Sequence, residues 1–189
     1  AYEDWNGDGV IDGWDAHPIA TNGIPQITYG LTLAAQYKGF DLNALFQGAA
    51  LVYVSYPEQL AQPLNWNGGG LNQFMDRWHP EDPTADPYDP NTKWVPGYYA
   101  YTGTVADQNS AAGVQNASYL RLKSLEIGYS LPKDLTAKAG IKNVRIYANA
   151  YNLLTFTGIR YVDPEHPSDT YGYIYPLNKS YNVGLNVTF

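Results

Sequence analysis

Residues 4–15 read D-W-N-G-D-G-V-I-D-G-W-D and set oxygen-bearing groups at regular intervals. Asp4, Asn6 and Asp8 take positions 1, 3 and 5 of a calcium loop, and Gly9 makes the sharp turn at position 6. Val10 offers its carbonyl at position 7, Asp12 sits at 9 and Asp15 at 12. Such spacing brings alternate side chains onto one hard cation if the backbone wraps around it. An oxygen set without His or Cys favours calcium over zinc. The competing reading is a solvated Asp/Gly turn, which needs none of this regularity. The flanks are not helical, so a calcium loop is expected here without a complete EF-hand, and Asp15, shorter than a Glu, grips a cation less securely.

The remaining reactive residues do not assemble into a catalytic set. His17, His79 and His166 lie in separate segments without His-x-x-x-His spacing, there is no Cys, and no Ser stands in a nucleophile elbow. Glu81-Asp82 and Asp163-Pro164-Glu165 mimic carboxylate pairs, but acids beside Pro read as solvated turns. No catalytic residue and no enzyme activity is therefore expected. Trp66, Trp78, Trp94, Tyr98, Tyr99 and Tyr101 either stack on sugar rings, dock a partner, or form a small core within their own loop. No substrate-binding residue is identified among them.

The elements that would carry these loops are strands. Leu177, Lys179, Tyr181, Val183, Leu185, Val187 and Phe189 share one face of residues 177–189, with Asn178, Ser180, Asn182, Gly184, Asn186 and Thr188 on the other. A polar face made of Asn, Ser, Thr and Gly, without charge, suits a wet and crowded barrel interior. Lys38-Gly39 forms a two-residue turn that places Tyr37 opposite Phe40. Behind them stand Ala35/Leu42, Leu33/Ala44, Leu31/Phe46, Tyr29/Gly48 and Ile27/Ala50, an all-apolar face. Strands of about twelve residues suit a tilted bilayer crossing. Tyr37 and Phe40 then mark one interface, with Tyr29 and Tyr56 nearer the other. In residues 117–130, Leu125, Ile127 and Tyr129 share a face while Leu120 and Leu122 take the opposite parity. That switch implies a bulge or an upper half clear of the membrane, and Arg121 and Lys123 favour the second. Residues 144–156 resume alternation, with Arg145, Tyr147, Asn149 and Tyr151 inward.

Composition agrees. Tyr reaches 18 of 189 residues while charged residues make up only 15%, which fits strands that meet a membrane interface. A net charge of -7 argues against nucleic acid. No run of eighteen apolar residues implies a transmembrane helix, and no signal peptide opens the sequence, so on the membrane reading it is a piece of a longer chain. The organisation expected is residues 1–25 as an extracellular loop holding calcium, 26–56 as a transmembrane hairpin, 57–116 as a long extracellular loop, and 117–189 as three further strands. Short connections (38–39 and 132–141) then fall on one side and long ones on the other, as in bacterial outer-membrane barrels.

The ordered runs 4–12, 37–42, 76–83 (DRWHPEDP), 116–132 (NASYLRLKSLEIGYSLP), 144–157 (VRIYANAYNLLTFT) and 181–189 (YNVGLNVTF) resemble the C-terminal part of SusC/RagA-type TonB-linked outer-membrane transporters of Bacteroidetes. The resemblance implies an all-β fold, with these as the last five strands of a 22-stranded antiparallel barrel, in the bacterial outer membrane. It also implies a plug and the rest of the barrel, a TonB complex reached through N-terminal parts absent here, a SusD-like surface lipoprotein lid, and uptake of glycans or peptides. Asn182, Gly184, Val187 and Phe189 resemble the signal read by the barrel assembly machinery. The alternative is a secreted calcium-binding β-sandwich that binds carbohydrate. Strand length, uncharged inner faces and Phe189 count against it.

Overall fold

The computed structural model describes residues 3–20, 23–56, 58–61, 70–100, 111, 113–165, 175 and 177–189. It divides into two compact units, residues 1–23 with 53–115, and residues 24–52 with 116–189.

The second unit is an antiparallel sheet. Its strands are β1 (Ile27–Tyr37), β2 (Phe40–Ala50), β7 (Tyr119–Ser130), β8 (Asn143–Thr157) and β9 (Ser180–Thr188), hydrogen-bonded in the order β1-β2-β7-β8-β9. Every β1–β2 pair follows the register that the Lys38-Gly39 turn dictates, from Tyr37 against Phe40 to Ile27 against Ala50. Both turn residues have positive φ, 45° at Lys38 and 87° at Gly39, the geometry whose twist matches that of the flanking strands. A Cβ on Gly39 would stand 2.8 Å from the Ser130 carbonyl oxygen, and that oxygen is backbone and cannot step aside. Gly39→Ala should therefore destabilise the sheet by about 1 to 3 kcal/mol, seen as a lower heat-modification midpoint of the full-length protein. An unchanged midpoint would contradict this turn geometry.

Cross-strand partners point to the same side of a sheet, so the registers define continuous rows. One face carries Tyr29-Gly48-Leu120-Phe156, then Leu31-Phe46-Leu122-Leu154, then Leu33-Ala44-Leu125-Ala150-Tyr181, then Ala35-Leu42-Ile127-Ala148-Val183, then Tyr37-Phe40-Tyr129-Ile146-Leu185. Not one residue in these rows is charged. Many are large and bare: Leu31, Leu33, Phe40, Ile127, Phe156 and Val183 are all exposed, Val183 to 82%. Such a continuous apolar surface is far beyond what water tolerates and suits hydrocarbon. Aromatics close both ends, with Tyr29 and Phe156 at one and Tyr37, Phe40 and Tyr129 at the other, where the Phe40 and Tyr129 rings lie 4.5 Å apart.

The switch of parity in β7 is a bulge. Leu45 pairs with Ser124 and Phe46 with Leu122, so Lys123 has no partner on β2; on the other side Ser124 pairs with Tyr151 and Leu122 with Leu154. Lys123 thus stands against Asn152 and Leu153, and Asn152 takes φ 52°. The extra residue returns Leu120 and Leu122 to the apolar face. This corrects the expectation drawn from Arg121 and Lys123: the strand does not change sides, because one residue is stepped over.

Connections at the turn end are short. Residues 131–142 hold one turn of helix α2 (Lys133–Thr136) and a 3-10 turn over Ala137–Ala139, closed by Gly140 at φ 70°. At the other end, β8 and β9 are joined by residues 158–179, and β2 and β7 by residues 51–118.

Outside the five-stranded sheet lie β3 (Tyr53–Ser55), α1 (Glu58–Ala61), β4 (His79–Pro80), β5 (Trp94–Val95) and β6 (Val114–Asn116), with β3 paired to β6 and β4 to β5. Among the described residues, no helix is long and apolar enough to cross a membrane, which leaves crossing by strands open.

Candidate functional site: a charged inner wall and an acidic loop

The opposite face of the sheet is polar, and the inward Arg145 that alternation predicts finds its partners there. Arg145 on β8 donates through Nε to Asp41 Oδ2 at 2.9 Å, through Nη2 to Asp41 Oδ1, and through Nη2 to Glu126 Oε1 at 2.7 Å. It reaches two strands away because Gly128 lies between. A Cβ there would come within 2.5 Å of both Arg145 Nε and Asp41 Oδ2. Arg145 stands inward on β8 as alternation predicts, the expectation of uncharged inner faces is corrected for β2 and β7, and β9 carries no charge on that face. On that strand Asn182 Nδ2 donates to Asn149 Oδ1 at 2.8 Å, and Gly184 leaves room for the Tyr147 ring. No local pattern announces a pair 104 residues apart.

Nearer the long loops stands a second cluster. Arg121 pairs with Gln47 and Thr155 in the ladders, which puts it on the inner face. Its Nε donates to Thr155 Oγ1 at 2.8 Å, Nη1 to Glu165 Oε1 at 2.6 Å, and Nη2 to Asp163 Oδ1 at 2.9 Å and Oδ2 at 3.0 Å. Lys123, freed by the bulge, adds Nζ bonds of 2.8 and 2.6 Å to Glu165. Asp163-Pro164-Glu165 is therefore no solvated turn: only 4% of the Arg121 side chain and 9% of that of Asp163 reach solvent. Asp163 also accepts from the N–H groups of Glu165 at 2.9 Å and Leu177 at 3.3 Å, fastening the outgoing and returning legs of one loop. Burial pushes its carboxyl up, but the Glu165 N–H and the Arg121 guanidinium outweigh this and hold it below the usual carboxylate range. The other acidic pair behaves as expected. Asp82 is exposed and accepts from the Thr84 N–H at 2.9 Å and hydroxyl at 2.7 Å.

The expected calcium loop is a ring of carboxylates turned onto backbone amides. Asp4 accepts from the N–H groups of Gly7 at 2.7 Å, Asp8 at 3.2 Å and Gly9 at 2.8 Å, while Asn6 and Asp8 cap the N–H groups of Asp8 and Val10. Asp12 caps Trp14 as the 3-10 turn Gly13–Asp15 begins. Asp15 is buried and accepts from Trp5 at 2.9 Å, Asn6 at 3.3 Å and Asp12 at 2.8 Å. The Asp12 N–H, ahead of those of Asn6 and Trp5, holds its carboxyl low against the effect of burial. That stabilisation is present above about pH 4 and is lost as pH falls through the lowered folded value. The oxygen set suits a hard cation. Yet among the described residues no group of three or more His, Cys, Asp or Glu stands close enough to hold a metal.

Of the loop aromatics, Tyr99 is buried with Phe74, ring centroids 4.8 Å apart, and its hydroxyl is tied to Gln73 at 3.0 Å. For Tyr99 the small-core reading holds. Trp78 and Tyr98 remain well exposed. Trp66, Tyr101 and His166 lie outside the described residues.

No protein-family model matches the chain. Among curated proteins it is similar to TonB-dependent receptor P26 of Formosa agariphila, 32% identical over the whole of this chain and 19% of that protein. It is likewise similar to TonB-dependent receptor SusC of Bacteroides thetaiotaomicron, 28% identical over the whole of this chain and 17% of that protein. Among solved structures, the RagAB peptide transporter matches at 28% identity and a TM-score of 0.65, covering 87% of this chain and 17% of that one. The RagAB peptide importer in its closed-closed state matches at 31% and 0.63, covering 88% and 17%. The chain thus spans less than a fifth of the length of the relatives it matches. These relatives are named as receptors, importers and transporters, none as an enzyme.

Proposed function

Because this chain belongs to the SusC/RagA-type TonB-dependent receptors, β-barrel proteins of the bacterial outer membrane, we propose that it supplies five adjacent strands of the 22-stranded wall of a nutrient importer. One observation carries the proposal. A face without charge runs across all five strands, and every charged residue of the paired rows lies on the other. In that reading β1 and β9, at the two ends of the sheet, pair with the remainder of the barrel. Residues 57–116 and 158–179 then face the cell exterior, and a plug, a TonB complex and a SusD-like lipoprotein lid complete the machine. Asn182, Gly184, Val187 and Phe189 would be read by the assembly machinery, and the cargo would be glycan or peptide. In the outer-membrane fraction of cells making the full-length receptor, this segment should be extractable only with detergent, and uptake of short oligomers should require the lipoprotein. A soluble, monomeric product would favour the secreted β-sandwich instead.

For the acidic loop the reading is structural calcium, with Asp4, Asn6, Asp8, Asp15 and the Val10 carbonyl as ligands and Asp12 reached directly or through water. Five acids within residues 3–15, Glu3 included, repel one another, and a divalent ion would relieve that repulsion. Millimolar calcium should protect this loop from protease in the full-length receptor, and Asp8→Ala should abolish the protection. Equal cleavage with calcium and with chelator would remove the ion from the account.

A further inference from the structure

A pocket of about 360 Å³ opens on the inner face between the β7–β8 wall and the two legs of the loop that Asp163 fastens. Arg121 forms part of its lining with both flanking carboxylates already satisfied, beside Asn152, Thr155 and Tyr161 and beside Leu177 and Lys179, which precede β9 and so do not follow the alternation expected of them. Three residues there are unspent. Tyr161 holds φ 66°, a strained conformation for a tyrosine of the kind that clusters at functional sites, and 49% of the residue is exposed. The Lys179 ammonium is exposed and makes no ion pair among the described residues. Asn152, also in the left-handed region, donates through Nδ2 to the Asn178 carbonyl at 3.0 Å. That bond fixes which amide atom is which, so the group left over is oxygen. Asn152 Oδ1 is buried with no partner among the described residues, a state in which a polar atom needs an explanation.

We propose that this pocket is a ligand subsite for a carboxylate-bearing end of an oligomeric nutrient, the carboxylate being flanked by an O–H or N–H donor. The proposal rests on the importer reading and names the chemistry of its cargo. Among the described residues the charges around the pocket are Arg121, Lys123 and Lys179 against Asp163 and Glu165, which leaves one positive charge, carried by Lys179. Its ammonium meets the carboxylate, the Tyr161 ring covers an apolar face of the ligand, and the Thr155 hydroxyl, which only accepts from Arg121, donates to the ligand. Asn152 Oδ1 takes the flanking donor once the entering ligand reaches it, which relieves its unpaired state. A uronic acid terminus and a peptide C-terminus both present this chemistry.

Calorimetry on the detergent-solubilised full-length receptor separates the two sources. The probes are trigalacturonate against maltotriose, and trialanine against trialanine amide. In at least one pair the charged member should bind ten-fold or more tightly, and Lys179→Gln should erase that preference while the variant keeps the wild-type heat-modification midpoint. Thr155→Val should weaken the preferred probe several-fold. The proposal fails if wild-type receptor shows no preference for charge, binds none of the four probes, or keeps its preference in Lys179→Gln. Failure of the importer reading would look different, as a receptor absent from the outer membrane.

Discussion

Arg121→Gln should cost the full-length receptor about 3 to 5 kcal/mol, the usual penalty for stripping one partner from a buried ion pair. The magnitude follows from what is stranded. Among the described residues Asp163 would keep only the N–H groups of Glu165 and Leu177, and Glu165 only Lys123. With Asp163 so enclosed, neither water nor a neighbour replaces the guanidinium. Loss should be concentrated in residues 158–165, read as amide exchange faster by two orders of magnitude or more. Adding Asp163→Asn to Arg121→Gln should recover part of the stability, because the stranded charge is gone. The pH dependence has a definite sign. The Asp163 carboxyl is held low in the folded chain, so its contribution is complete above about pH 4 and declines as pH falls through the folded value. Unchanged exchange in Arg121→Gln would show that the loop is not fastened by this cluster.

The second large effect is on the other side of the wall. Leu33 stands midway between Tyr29 and Tyr37, eight residues and about 27 Å of strand apart, and its row continues through Ala44, Leu125, Ala150 and Tyr181 without a polar atom except the Tyr181 hydroxyl. A cation there lies near the bilayer midplane, where barrels lose roughly 2 to 4 kcal/mol. Leu33→Arg should lower the unfolding free energy by that amount and reduce assembled protein in the outer membrane. Thr32→Arg, one residue away on the inner face, should cost far less. Equal losses at the two positions would mean that the lipid-facing assignment of β1 is wrong.

The sequence made some of this visible because some of the physics is local. A two-residue turn fixes its own register, so the pairs from Tyr37/Phe40 to Ile27/Ala50 could be written down from Lys38-Gly39 and alternation alone. Alternation likewise assigned the faces of β8 and β9. The bulge at Lys123 was ambiguous, because one broken period has two physical solutions and only the neighbours' registers distinguish them. Asp163 and Glu165 looked like turn residues because their partners lie more than forty positions away. The spacing of Asp4, Asn6, Asp8 and Asp12 is plain in the sequence. Whether their oxygens converge on a cation or cap amides depends on a balance between the two that spacing does not contain.

The bulge also decides what kinds of change this wall survives. A strand that alternates sides is a binary counter, and among the five described strands of the sheet Lys123 is where the count is reset. Deleting it alone would turn the stretch above it over, sending Arg121 into hydrocarbon and Leu120 and Leu122 into the lumen. A point substitution at the same position would leave the count untouched. Related chains should therefore gain or lose wall residues two at a time, or keep their length changes in the loops, and a shuffled receptor joined within β7 should assemble only when both parents carry the reset at the same row.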